Sequence, residues 1–150
     1  MSTAKDLPQA RASAAADQAR RGLVSSAGGS LAGRTKALLA SHGLRPRKSL
    51  GQNFLINEPR VRQIAAAAAA LAPDGLVVEV GPGLGALTVA LAELGCGVLA
   101  YEVDRRLEGP LQELLAPFDT VTVQFGDFLE VDLDAVTAGR PFVLAGNLPY

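Results

Sequence analysis

The sequence predicts an α/β fold built on a parallel, doubly wound sheet, and three observations predict it. From residue 76 onward, strand-length apolar runs alternate with stretches of helical length. The first run ends in the turn Glu79-Val80-Gly81-Pro82-Gly83-Leu84-Gly85-Ala86, whose glycines let a strand bend sharply into a helix and let backbone approach a ligand with no Cβ in the way. Each of four such runs also delivers a residue of chemical interest at its carboxyl end, the edge at which parallel sheets bind ligands.

The elements follow in order. Residues 1–33, rich in Ala, Ser, Gly and Arg and closing on SSAGGSLAG, read as a disordered tail. Their Arg, Ser and Ala content also suits an organelle transit peptide, against which Asp6 and Asp17 count. Residues 34–58 read as a basic helix and a loop. The helix fits TKALLASH, with Thr35 as cap and Gly43 just past its end, and the loop is LRPRKSLGQNFLIN. A second helix is predicted over NEPRVRQIAAAAAALA, capped by Asn57 or Glu58 with Pro59 in its first turn, and stopped at Pro73-Asp74-Gly75. GLVVEVG, GVLAYEVD, TVTVQFGD and PFVLAGN are then strands. Between them ALTVALAELG, GPLQELLA (opened by Pro110) and DLDAVTAG are helices.

With 150 residues, 49% of them hydrophobic and 19% charged, the chain has material for one globular domain with a sizeable core. No apolar run reaches the roughly 18 residues that a membrane span requires, so a soluble protein is expected. One cysteine and one histidine exclude an internal disulfide and a zinc cluster, and Cys96 reads as a buried thiol at a strand edge. The formal charge of −1 hides an asymmetry: residues 1–62 carry eleven Lys/Arg against three acids, residues 63–150 three against twelve. The densest stretch holds Arg34, Lys36, Arg45, Arg47, Lys48, Arg60 and Arg62 against Glu58. Such a run is either a solvated face or the footprint of a phosphate-backbone contact.

At the predicted carboxyl edge, Glu102 closes the second strand about twenty residues beyond the glycine turn, where a carboxylate can accept both hydroxyls of a ribose. The turn itself satisfies two patterns. Gly81, Gly83 and Ala86 fit the dinucleotide pattern, and Glu79, Gly81, Gly83 and Gly85 fit that of S-adenosylmethionine enzymes. Phe125-Gly126-Asp127-Phe128 places a carboxylate between two aromatics, suited to an adenine amine and its ring face. The chain's last residues, Asn147-Leu148-Pro149-Tyr150, offer a side-chain oxygen, a carbonyl aimed by the following proline, and a stacking ring. Two acceptors on an adenine N6 amine would draw its delocalised lone pair back onto nitrogen, so that no strong base is needed.

Taken together, RKSLGQNFLIN (47–57), VEVGPGLGALT (78–88), YEVD (101–104), GD (126–127) and GNLPY (146–150) resemble the ribosomal RNA adenine N6,N6-dimethyltransferases, in particular the bacterial 16S branch. Leu148 leans to that branch, because the related 23S enzymes usually read NIPY. The resemblance implies a Rossmann-like S-adenosylmethionine-dependent methyltransferase fold in which residues 59–150 are the first half of the catalytic domain, ending after the fourth strand. It implies that Asn53 and Leu55 close over the cofactor, that Gly81 turns beneath it, that Glu102 holds its ribose and Asp127 its adenine, and that Asn147 is shared with the target amine. Leu148 and Tyr150 complete the implied target pocket. The implied partner is small-subunit ribosomal RNA or the small ribosomal subunit, and a cytoplasmic monomer with no membrane partner is expected. An NAD-dependent oxidoreductase, and a non-catalytic RNA-binding assembly or transcription factor that kept the fold, stand as alternatives. The oxidoreductase leaves GQNFL and NLPY without a role.

Overall fold

The computed structural model describes residues 30–47, 54 and 56–148 of the chain. Four strands, β1 (Leu76–Val80), β2 (Gly97–Glu102), β3 (Val121–Phe125) and β4 (Val143–Gly146), form one sheet in the order β3-β2-β1-β4 with every neighbouring pair parallel. Among the described residues two helices precede them, α1 (Leu31–Ser41) and α2 (Glu58–Leu71), and three make the crossovers, α3 (Ala86–Glu93), α4 (Glu108–Leu115) and α5 (Leu133–Thr137). The chain runs outward from β1 to β3, then returns to the far side of β1 as β4. That reversal sets a topological switch point at the carboxyl ends of β1 and β4, where open parallel sheets hold ligands.

Both sheet faces are covered, which makes the sheet doubly wound. On one face Val77, Val98 and Ala100 pack with Ala65 and Ala68 of α2 and with Leu87 and Leu91 of α3. On the other, Val78, Leu99 and Tyr101 meet Phe128, Val131, Leu133, Val136 and Phe142. Coverage on both sides explains why β2 reads as the unbroken run GVLAYE, all of it buried, rather than as an alternating strand. A third cluster joins Leu107, Leu111, Leu115 and Phe118 to Leu84 and Ala92, and reaches Leu38, Leu39 and Phe54 in the N-terminal part. Cys96 is buried in the first cluster, as its apolar setting predicts.

Local chemistry sets the helix ends. Asn57 accepts from the Arg60 backbone N–H at 3.0 Å, with Pro59 in the first turn of α2, and Asp132 accepts from Ala135 N–H at 3.1 Å to start α5. Two predicted boundaries are corrected. The first helix begins at Leu31 inside the stretch read as tail, and its cap is Ser30, whose Oγ accepts from Gly33 N–H at 3.2 Å, not Thr35. Helix α4 begins at Glu108, two residues before Pro110, and continues a 3-10 turn over Arg105–Leu107. A second 3-10 turn covers Phe128–Glu130. A single turn carries no periodicity, and neither was foreseen.

Candidate functional site

The carboxyl ends of all four strands open into one cavity of about 370 Å3. Glu79 and the glycine turn enter it from β1, Tyr101, Glu102 and Val103 from β2, Gly126 to Leu129 from beyond β3, and Asn147 and Leu148 from beyond β4. Of the eight predicted site residues, Gly81, Glu102, Asp127, Asn147 and Leu148 are therefore brought together. Asn53, Leu55 and Tyr150 lie outside the described residues. A larger groove of about 430 Å3 separates α1 from α2, α3 and α4; it gathers Leu38, Val61, Val89 and Leu114 but none of the strand-end groups, so the smaller cavity is the candidate site.

Glu102 is the best-anchored side chain in it. The residue is 4% exposed, its Oε2 accepts from Gly83 N–H at 3.0 Å and its Oε1 from Asp104 N–H at 2.9 Å. Burial pushes its carboxyl up, and those two backbone donors pull it back. A carboxylate has lone pairs left after two such bonds, so Glu102 remains able to accept ligand hydroxyls while its plane is fixed. The glycine turn needs its glycines for contact as well as for φ. Gly83 stands at φ +58°, and a Cβ there would lie 3.1 Å from the Phe54 ring, so the aromatic of GQNFL sits directly over the turn.

Gly81 donates its N–H to the Tyr101 carbonyl at 2.8 Å, tying the turn to β2, and the Leu148 side chain stands 3.8 Å from where a Gly81 Cβ would be. Gly146 makes that meeting possible: a Cβ on it would lie 2.7 Å from the Val80 carbonyl oxygen, so only glycine lets the end of β4 close on β1 and deliver Asn147. Asp127 caps the turn that follows β3, its Oδ1 accepting from Leu129 N–H at 2.9 Å. That bond holds the carboxylate at the cavity wall.

Sequence reasoning gave the cavity residues Val103 and Leu129 no functional role, and it took in Glu79 only as a letter of the glycine-turn pattern. Glu79, only 1% exposed, lines the cavity and accepts from the Thr88 hydroxyl at 2.7 Å. Burial raises its carboxyl to about 7 against that hydrogen bond, and the charge of Glu102 adds to the rise. Val103 and Leu129 are apolar yet 59% and 90% exposed at the rim. The signal that could have found them is an apolar residue one or two places after each strand-end carboxylate, where a flat ring held by that carboxylate needs a cover. Of the basic stretch, Arg62 is spent in part on an i,i+4 ion pair with Glu58 at 2.9 Å on α2.

A parallel sheet with its switch point between β1 and β4, a glycine turn after β1 and a buried carboxylate ending β2 define a Rossmann-like fold of the S-adenosylmethionine-dependent methyltransferase class. The solved structure of 23S rRNA methyltransferase ErmE agrees: it is 37% identical with a TM-score of 0.55 over 65% of this chain and 38% of its own. A putative RNA methyltransferase from Pyrococcus horikoshii shares the fold, with a TM-score of 0.58 at 24% identity over 78% of this chain and 59% of its own. Residues 43–150 match the family described as ribosomal RNA adenine dimethylase, and the chain belongs to that family. It is 50% identical to ribosomal RNA small subunit methyltransferase A of Moorella thermoacetica over 127 residues, 79% of this chain and 44% of that protein. It is 51% identical to the protein of the same name from Deinococcus radiodurans over 117 residues, 78% of this chain and 39% of that one. The chain thus spans about two fifths of the length of these relatives. Neither relative favours the oxidoreductase or the non-catalytic alternative.

Proposed function

We propose that the protein transfers methyl groups from S-adenosylmethionine to N6 of adenines in small-subunit ribosomal RNA. The observation that carries this reading is the single cavity in which Gly81, Glu102 and Asp127 meet Asn147 and Leu148, in a chain of the ribosomal RNA adenine dimethylase family. When bound, the cofactor supplies an electrophilic methyl on a sulfonium. Glu102 accepts the ribose hydroxyls, its orientation set by Gly83 and Asp104, and Asp127 accepts the adenine amine, with Val103 and Leu129 at hand to cover the ring. Asn53 and Leu55 belong to the segment assigned to hold the cofactor from above.

The Asn147 side-chain oxygen and the Leu148 carbonyl accept from the target amine, which turns its lone pair toward the methyl carbon. Transfer would break the sulfonium's carbon–sulfur bond to leave a neutral thioether, form a carbon–nitrogen bond, and release one amine proton per methyl to solvent. The Tyr150 ring stacks on the extruded base. The twelve acids of residues 63–150 suit a cationic cofactor, and the basic stretch 34–62 suits an RNA backbone. A cytoplasmic monomer acting on the small ribosomal subunit fits these features; among the described residues no helix is long and apolar enough to cross a membrane.

The test is single-turnover methyl transfer to unmethylated small-subunit ribosomal RNA, by protein carried to the full length of its relatives. Asn147→Ala should slow transfer by about two to three orders of magnitude, the scale of losing one preorganised group at a reacting centre, with cofactor affinity changed far less. Transfer at the parental rate would remove Asn147 from the amine pocket.

A further inference from the structure

The short turn after Glu102 ties three parts of the molecule together. Asp104, 3% exposed, donates its backbone N–H to Glu102 Oε1 at 2.9 Å. Its carboxylate accepts the Arg106 side chain in a two-pronged grip, Nε to Oδ1 at 2.9 Å and Nη2 to Oδ2, and also accepts Arg106 N–H at 3.2 Å. From there the Arg106 guanidinium reaches the carbonyl of Arg45 at 3.5 Å, across 61 positions of sequence. Arg105, its neighbour, points the other way and reaches the Phe125 carbonyl at the end of β3, also at 3.5 Å. A planar fork held by a buried carboxylate is the stiffest link that side chains provide. The carboxyl plane of Glu102 and the backbone of the basic loop at Arg45 therefore share one brace.

We propose that Asp104 and Arg106 are positioning residues that couple phosphate binding at the basic loop around Arg45 to ribose binding at Glu102. The inference rests on the reading of the cavity as an S-adenosylmethionine site. Neither residue lines the cavity; displacement of the Arg45 backbone by a bound phosphate reaches Glu102 through the Arg106 fork and the Asp104 amide. Binding coupling is reciprocal, so RNA should tighten the cofactor by the factor with which cofactor tightens RNA. In the unliganded protein the brace holds the loop and the carboxylate in register.

Calorimetric titration of S-adenosylmethionine, with and without a saturating uridine oligonucleotide, tests this. The oligonucleotide offers phosphates but no N6 amine, so coupling cannot pass through the Asn147 pocket. In the parent the oligonucleotide should tighten S-adenosylmethionine by about fivefold or more. Arg106→Ala should bring that factor close to one, and Arg106→Lys, which keeps the charge but loses the fork, should leave it in between. Since stripping the partner from a buried carboxylate can also weaken the fold, thermal midpoints are recorded and the lysine variant carries the test if the alanine variant does not fold. A lowered midpoint with the parental factor retained overturns the inference and leaves only a structural ion pair, as does a parent factor of one. A parent that binds no S-adenosylmethionine overturns the functional reading, and the inference with it.

Discussion

Glu79 carries a residue-scale consequence that the sequence hid behind a motif letter. It is sealed on β1, with Thr88 as its donor and Glu102 as a like-charged neighbour, and its carboxyl is raised from 4.5 to about 7 chiefly by burial. Between those two values the unfolded chain has released the proton that the folded protein still holds. Its contribution to stability is thus complete below about pH 4.5, is lost as pH rises through about 7, and then levels off. The full loss is on the order of 3 kcal/mol, from the worth of a unit of pKa. Glu79→Gln keeps an acceptor for Thr88 and has no proton to lose, so its urea midpoint at pH 8 should exceed the parent's while the two converge near pH 4.5. An equal fall with pH in both proteins would place the titration elsewhere. A carboxylate's burial comes from the strands that flank it, which is why the letter alone told nothing of its state.

At the scale of elements, the four strands and the crossover helices were legible because each answers to a period or a cap, as at β2 and at Asn57 before α2. The start of α1 was not, because Leu31-Ala32-Gly33 looks like the end of a glycine-rich linker until Ser30 is seen to cap it. The strand-end residues of the site were legible for a similar reason: parallel register stacks Val80, Tyr101 and Gly146 at one level, so Glu102 and Asn147 had to emerge on one edge. Phe54 over Gly83 was beyond reach, since nothing local says where a loop some thirty positions upstream returns. The register makes Gly146→Ala an informative change. Its Cβ would press on the Val80 carbonyl at 2.7 Å, a backbone atom that cannot swing aside, so β4 must shift. The expected cost is about 1 to 3 kcal/mol by denaturant midpoint, with a fall in methyl transfer exceeding any fall in cofactor affinity, because Asn147 and Leu148 move while Glu102 stays. Parental stability and transfer would mean that β4 closes on β1 less tightly than this.

Across the whole molecule, charge is divided as the proposed function would require, +8 over residues 1–62 and −9 over 63–150. The two parts meet where the Arg106 guanidinium donates to the Arg45 carbonyl at 3.5 Å, Arg106 being held by Asp104, whose N–H bonds Glu102 of the cavity. A cationic loop bordering an anionic pocket draws in a polyanion at the rim and a sulfonium at the centre, and each field works only while the other does not cancel it. The sign of the loop's contribution can be measured through counterions. Each phosphate contact to RNA adds roughly −0.7 to −0.9 to the slope of log affinity against log salt. Arg45→Gln, Arg47→Gln and Lys48→Gln combined should therefore weaken binding to a ribosomal RNA fragment at low salt and flatten the slope by about 2. Their effect on S-adenosylmethionine binding without RNA should be small. If the slope of the triple variant equals the parent's, the stretch is a solvated face, and the acidic cavity must recruit its RNA through residues outside 45–48.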